Sequence, residues 1–142
     1  MRNYYAQIYE YLQKFVTNII ILDKKGISSN NCYLSIMDLL ILKLLGDEHE
    51  KKMFEVMDTL NIDRNAFKTI ANRLILEGYV SKSRCEDDRR AYILKLTDKG
   101  KWFFDETISK EKEILFSLLD DFTFNEEKAI LKFLVKLEML NK

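Results

Sequence analysis

Between Asp63 and Gly78, six side chains rich in hydrogen-bond donors fall on one side of a helical wheel. Arg64, Asn65, Lys68, Thr69, Asn72 and Arg73 share that side, and no carboxylate stands among them. A solvated helix face normally mixes both signs of charge. This one offers guanidinium, ammonium, amide and hydroxyl groups, which suit phosphate oxygens and the acceptor atoms of base edges. Phe67, Ile70, Ala71, Leu74 and Ile75 recur at i, i+3, i+4, i+7 and i+8 on the other side, giving a helix with a core-facing stripe. Asp63 is placed to cap its start and Gly78 to end it.

A second concentration of chemistry follows directly. In "EDDRRAYILKLTDKG", Glu86 to Gly100, three acids run into two arginines and then into alternating polar and apolar residues. Tyr92, Leu94 and Leu96 alternate with Ile93 and Lys95, a period of two that reads as a strand. "YVSKSR" before it is a second extended run, and Cys85 to Arg90 separate the two. The pattern predicts a hairpin with a charged tip that presents Arg89 and Arg90, with Arg84 at the end of the strand before it and Asp88 placed to orient an arginine. The bland alternative is an exposed Asp88–Arg90 ion pair worth at most ~1 kcal/mol.

Other elements must hold these two features. Tyr5, Ile8, Leu12, Phe15, Ile19 and Leu22 form one apolar stripe at spacings of 3 and 4, predicting a long first helix that ends at Gly26. Tyr4, Tyr9, Tyr11 and Val16 add apolar surface beyond that stripe, as in helices that pack between subunits. After a polar loop (Ser28 to Asn31), "LSIMDLLILKLLG" predicts a central helix with Ser35 as N-cap and Gly46 just past its end. Residues 49–60 read as a shorter amphipathic helix. From Asp98 the chain turns helical again through Trp102, Phe104, Ile108, Leu115 and Leu118, and a last helix runs from about Asn125 to Leu140.

Two short helices joined by a tight turn and followed by a hairpin describe a winged helix-turn-helix. Its second helix carries the donor face, which fits a major groove, and the hairpin tip would lie over a neighbouring minor groove. At this point the sequence resembles a known family. Asp88, Arg90, Leu94, Leu96, Thr97 and Gly100 are similar to the wing motif of the multiple-antibiotic-resistance regulator (MarR) family, which reads Asp, any, Arg, three residues, Leu, any, Leu-Thr, two residues, Gly. The preceding "RLILEGYV" also resembles that family's helix end. The chain departs from it at Cys85-Glu86, where many members carry Asp-Pro.

The resemblance implies a mainly α protein with a small β-hairpin wing, as a single domain over residues 1–142. Within it, residues 33–100 would form the DNA-binding lobe, and residues 1–26 and 102–142 the dimerisation helices. It further implies a homodimeric transcription regulator on a near-palindromic operator of double-stranded DNA, most simply a repressor, with a small-molecule effector. The alternative from another class is a winged-helix protein-interaction module without DNA binding.

Composition fits this reading. The chain is 47% hydrophobic with no proline and four glycines, so a sizeable core and long helices are expected. Its net charge is zero, but residues 64–101 carry ten Lys/Arg against five Asp/Glu, a local +5 between acidic flanks. The Ile19–Leu22 run is far short of the ~20 apolar residues of a membrane span, so no membrane partner and a cytoplasmic location are expected. Cys32 and Cys85 make no CxxC pair and read as inert surface or half-buried thiols. With His49 the only histidine, no metal or cofactor is expected. No paired histidines or phosphate-cradling glycine loop is present, which argues against an enzyme.

Overall fold

The computed structural model describes residues 4–29, 32–46, 50–88 and 90–141. His49 and Arg89 lie outside them, as does the Cys32 side chain. The chain divides into two compact units, Met1–Phe104 and Asp105–Lys142.

In the first unit the helices are α1 (Tyr4–Lys25), α2 (Ile36–Gly46), α3 (Met53–Leu60) and α4 (Arg64–Leu76). The strands are β1 (Ile27–Ser29), β2 (Cys32–Leu34), β3 (Glu50–Lys52), β4 (Val80–Arg84) and β5 (Tyr92–Leu96). Helix α5 (Asp98–Leu119) starts there and continues into the second unit, which also holds α6 (Phe124–Met139). β1 and β2 form an antiparallel hairpin where the sequence suggested a polar loop. The other three strands form an antiparallel sheet in the order β3-β5-β4.

Two expectations are corrected. Residues 50–52 do not open the third helix: they form β3, with Glu50 opposite Lys95 and Lys52 opposite Ile93, and α3 begins at Met53. Gly46 is not a left-handed cap. It is the last helical residue of α2, buried, and any Cβ there would overlap the Phe104 ring. Close packing, not backbone freedom, calls for glycine at this position.

The core sits entirely in the first unit. Ile41, Leu42 and Leu45 of α2, Val56 of α3, Phe67, Ala71 and Leu74 of α4, and Val80, Leu94 and Leu96 of the sheet form one buried cluster with Leu34, Tyr79 and Phe103. α1 contributes nothing to it, since every residue from Tyr4 to Lys25 is exposed. In the second unit, Thr123 and Glu126 form a capping box that starts α6, with the Glu126 N–H donating to Thr123 Oγ1 at 3.2 Å. Ile114, Leu115, Phe116, Leu131 and Leu134 of that unit are exposed as well. Among the described residues, no helix is long and apolar enough to cross a membrane.

Candidate nucleic-acid interface

Helix α4 forms where its caps and stripe require. The Asp63 carboxylate accepts the Ala66 N–H at 2.9 Å, supplying a partner for one of the unpaired first-turn donors. At the other end Gly78 takes φ +86°, the Gly78 N–H donates to the Ile75 carbonyl at 3.0 Å and the Tyr79 N–H to Leu74 at 3.0 Å. These two hydrogen bonds make a Schellman motif, and the left-handed residue it needs is a glycine. Phe67, Ala71 and Leu74 are buried, so the opposite side faces out. Arg64, Asn65, Lys68, Thr69, Asn72 and Arg73 are all exposed there, as the sequence predicts. The Thr69 hydroxyl donates back to the Asn65 carbonyl at 3.2 Å, which fixes its rotamer and leaves its lone pairs outward.

Arg73 differs from the other five. Its Nη2 donates to both carboxylate oxygens of Asp38, at 2.5 and 2.6 Å, and Asp38 is completely buried. The guanidinium is therefore committed to a carboxylate of α2, although the side chain is 47% exposed. The periodicity of α4 gives no sign of this, because the partner lies 35 residues away. A lone acid inside the apolar run "IMDLLILKLL" is the signal that could have found it.

The wing docks on α4 through the motif residues. The Thr97 hydroxyl donates to the Gly78 carbonyl at 2.5 Å, with the Tyr79 carbonyl at 3.1 Å, and the Thr97 N–H donates to Tyr79 at 3.1 Å. The same hydroxyl accepts the Gly100 N–H at 3.1 Å, which caps α5. Thr97 thus ties the end of β5 to the turn that closes α4, and the Leu94 and Leu96 side chains fill the core behind it. β4 and β5 pair from Val80↔Leu96 to Arg84↔Tyr92. The Cys85 N–H then donates to Ala91 at 2.9 Å, which closes the predicted six-residue tip.

Asp88 acts on that tip through the backbone. Its Oδ1 accepts the Arg90 N–H at 3.0 Å and its carbonyl accepts the Ala91 N–H at 2.9 Å. Through these two backbone bonds Asp88 shapes the loop that presents Arg90. Cys85 is buried, with 5% of its surface exposed, and not on the surface or half-buried as expected. Lys82, which the sequence reading passed over, is the further cation of the wing. Its Nζ lies 4.2 Å from the centre of the Tyr92 ring, and the Arg84 guanidinium lies 5.1 Å from the same ring.

These pieces enclose an open cleft of about 460 Å³ between α3, α4 and the wing. Arg64, Lys68, Lys82 and Arg90 line it together with Asp88, over a floor of Met53, Met57, Phe67 and Tyr92. Four cations and one acid therefore bracket a groove whose walls are a helix and a hairpin. The structure brings Arg64, Lys68 and Arg90 to this cleft, keeps Asn65, Thr69 and Asn72 on the outer face of α4 and directs Arg73 to Asp38.

Fold and face together define a winged helix-turn-helix regulator of the MarR type. The Streptococcus pneumoniae FabT protein, solved in complex with DNA, superposes with a TM-score of 0.84 at 25% identity over 96% of both chains. A MarR family protein from Bacillus stearothermophilus superposes at 0.73, with 20% identity over 96% of this chain and 95% of that one. The SarA/Rot transcriptional regulator model matches residues 24–107, and the chain belongs to that family. The HTH-type transcriptional regulator PchR of Bacillus subtilis is 36% identical over 81 residues, which are 55% of this chain. The chain spans about half the length of that relative, 48% of it.

Proposed function

We propose that this regulator binds double-stranded DNA as a homodimer, with α4 in the major groove and the wing tip on the adjacent minor groove. The observation that carries the reading is the carboxylate-free outer face of α4 facing Lys82 and Arg90 across a cationic cleft. In this arrangement Asn65, Lys68 and Thr69 stand nearest the bases, while Arg64, Lys82 and Arg84 take phosphates. The exposed apolar surfaces of α1 and of the 105–142 unit supply what a partner protomer would cover. Repression from a near-palindromic site, response to a small-molecule effector and a cytoplasmic location complete the proposal. An effector would act by its differential affinity for DNA-competent and DNA-incompetent spacings of the two lobes.

The test is duplex binding against salt for the parent, Lys68→Ala and Arg90→Ala. The parent's affinity falls steeply as salt rises, through counterion release. Lys68→Ala weakens binding with its helical circular dichroism intact, because the side chain is exposed. Arg90→Ala weakens binding most on duplexes with A·T-rich flanks, where the minor groove is narrow. A dimer whose binding ignores salt, or two variants that bind like the parent, would refute the reading and favour a protein-interaction module.

A further inference from the structure

Asp38 is the one charged residue among the fully buried side chains described, and it sits where three elements meet. Its Oδ2 accepts the Ser35 N–H at 2.8 Å, and the Ser35 hydroxyl accepts the Asp38 N–H at 3.1 Å. This reciprocal pair caps α2. One residue on, the Ile36 N–H donates to Asp23 Oδ1 in the last turn of α1, at 2.7 Å. From the other side, Arg73 of α4 reaches both Asp38 oxygens. The first turn of α2 therefore joins the end of α1 to the donor-faced helix.

Stability alone does not account for such a pair. Apolar replacement of a buried ion pair is commonly neutral or stabilising, and here only the Asp38 half is fully buried while Arg73 is half-exposed, so the geometry of the pair is its more informative property. The apolar stripe of Phe67, Ala71 and Leu74 holds α4 by contacts that have no preferred direction, so it tolerates small rotations and axial shifts. A guanidinium nitrogen shared between two carboxylate oxygens does not. Its position on α4, beside Asn72 and one turn on from Thr69, places the constraint within the face that meets DNA.

We infer that Asp38 is a positioning residue for DNA recognition. It clamps α4 through Arg73 and sets the helix's rotation relative to the ends of α1 and α2, without touching DNA. This deepens the proposed function and rests on it. It also assigns Arg73 to the clamp, not to a phosphate.

The experiment uses the full-length protein and the Asp38→Asn variant, with three readouts: duplex affinity, its salt slope, and amide hydrogen exchange along α4. Removing an acid near a DNA-binding face by itself favours DNA. Loss of the clamp predicts the opposite sign, a weakening on the order of ten-fold. The slope should stay as in the parent, because no phosphate contact is lost. Amides of Arg64–Leu76 should exchange faster while those of β4 and β5 do not change.

Equal or tighter binding by Asp38→Asn, or unchanged exchange in α4, would overturn the inference. So would a slope shallower by about 0.9 in Arg73→Gln, which removes the cation, because that loss would mark Arg73 as a phosphate contact. Should Asp38→Asn lose its helical signal, Arg73→Lys carries the same readouts, because it keeps a cation against the buried carboxylate and loses the planar guanidinium. If the parent itself shows no salt-steep binding, the DNA reading falls, and exchange in α4 still decides the role of Asp38.

Discussion

Gly100→Ala tests the joint between α4 and the wing. Gly100 lies in the first turn of α5 and is buried against the turn that closes α4. A Cβ built there overlaps the Tyr79 carbonyl oxygen, with the Tyr79 carbonyl carbon at 3.2 Å and Leu96 Cδ2 at 3.1 Å. The carbonyl has little room to retreat, because it accepts the Thr97 N–H and lies within reach of the Thr97 hydroxyl, each at 3.1 Å. Forcing extra volume against a fixed neighbour costs about 1–3 kcal/mol and at times more. Alanine's better helix propensity returns about 1 kcal/mol. A backbone clash of this kind belongs at the top of the range, so the net loss is about 2 kcal/mol, a fall in Tm of roughly 5–10 °C. Thermal unfolding by circular dichroism, at one protein concentration because a dimer's Tm depends on it, measures the shift. Gly46→Ala is the companion variant: its three nearest contacts are Phe104 ring atoms, so a side chain packed against the core, and not backbone, must shift to admit it. A Gly100→Ala protein as stable as the parent would refute the close-approach account of the motif.

The Tyr79 hydroxyl has no hydrogen-bond partner among the described residues, though it is buried. Tyr79→Phe therefore leaves stability unchanged or raises it by up to about 1 kcal/mol, and a clear loss in denaturant unfolding would mean the hydroxyl is satisfied in solution. Gly78→Ala makes only an ordinary contact, with Lys99 Cδ at 3.8 Å, so its cost is the left-handed backbone alone, about 1–2 kcal/mol. Gly78→Asn, with a side chain that tolerates that region, should cost less than Gly78→Ala in the same assay.

What could be read from the sequence was what is encoded locally. The caps Asp63 and Gly78, the stripe Phe67–Ala71–Leu74 and the period-two run ending at Leu96 each declare themselves within one turn or one strand. What could not be read was set by partners far along the chain. Glu50–Lys52 has no alternation of its own and becomes a strand only because β5 offers an edge. Arg73 looks like its five neighbours until Asp38 arrives from α2. Lys82 shows no pattern in "YVSKSR", and its place follows from the register that brings it over Tyr92. Asp88 adds a contact that its place beside two arginines does not announce, a backbone bond from the Arg90 N–H that depends on how the tip turns.

The register also resolves how a chain with no net charge can present a cationic face. Exposed charges act over roughly 8 Å at physiological salt, so only neighbours in space matter. Of the ten cations between residues 64 and 101, Arg73 is held by Asp38, and Lys99 donates to the Glu77 carbonyl at 2.7 Å. Strand alternation turns Lys95 to the sheet face opposite Lys82, where it sits across from Glu50. The net +5 therefore overstates the number of available charges and understates how closely they gather. Arg64, Lys68, Lys82 and Arg90 converge on one cleft, with Arg84 beside Tyr92 at its wing. A flat basic patch would attract any polyanion. Cations on two facing walls, one a helix and the other a hairpin, favour an anion that runs between them, as a duplex backbone does between adjoining grooves.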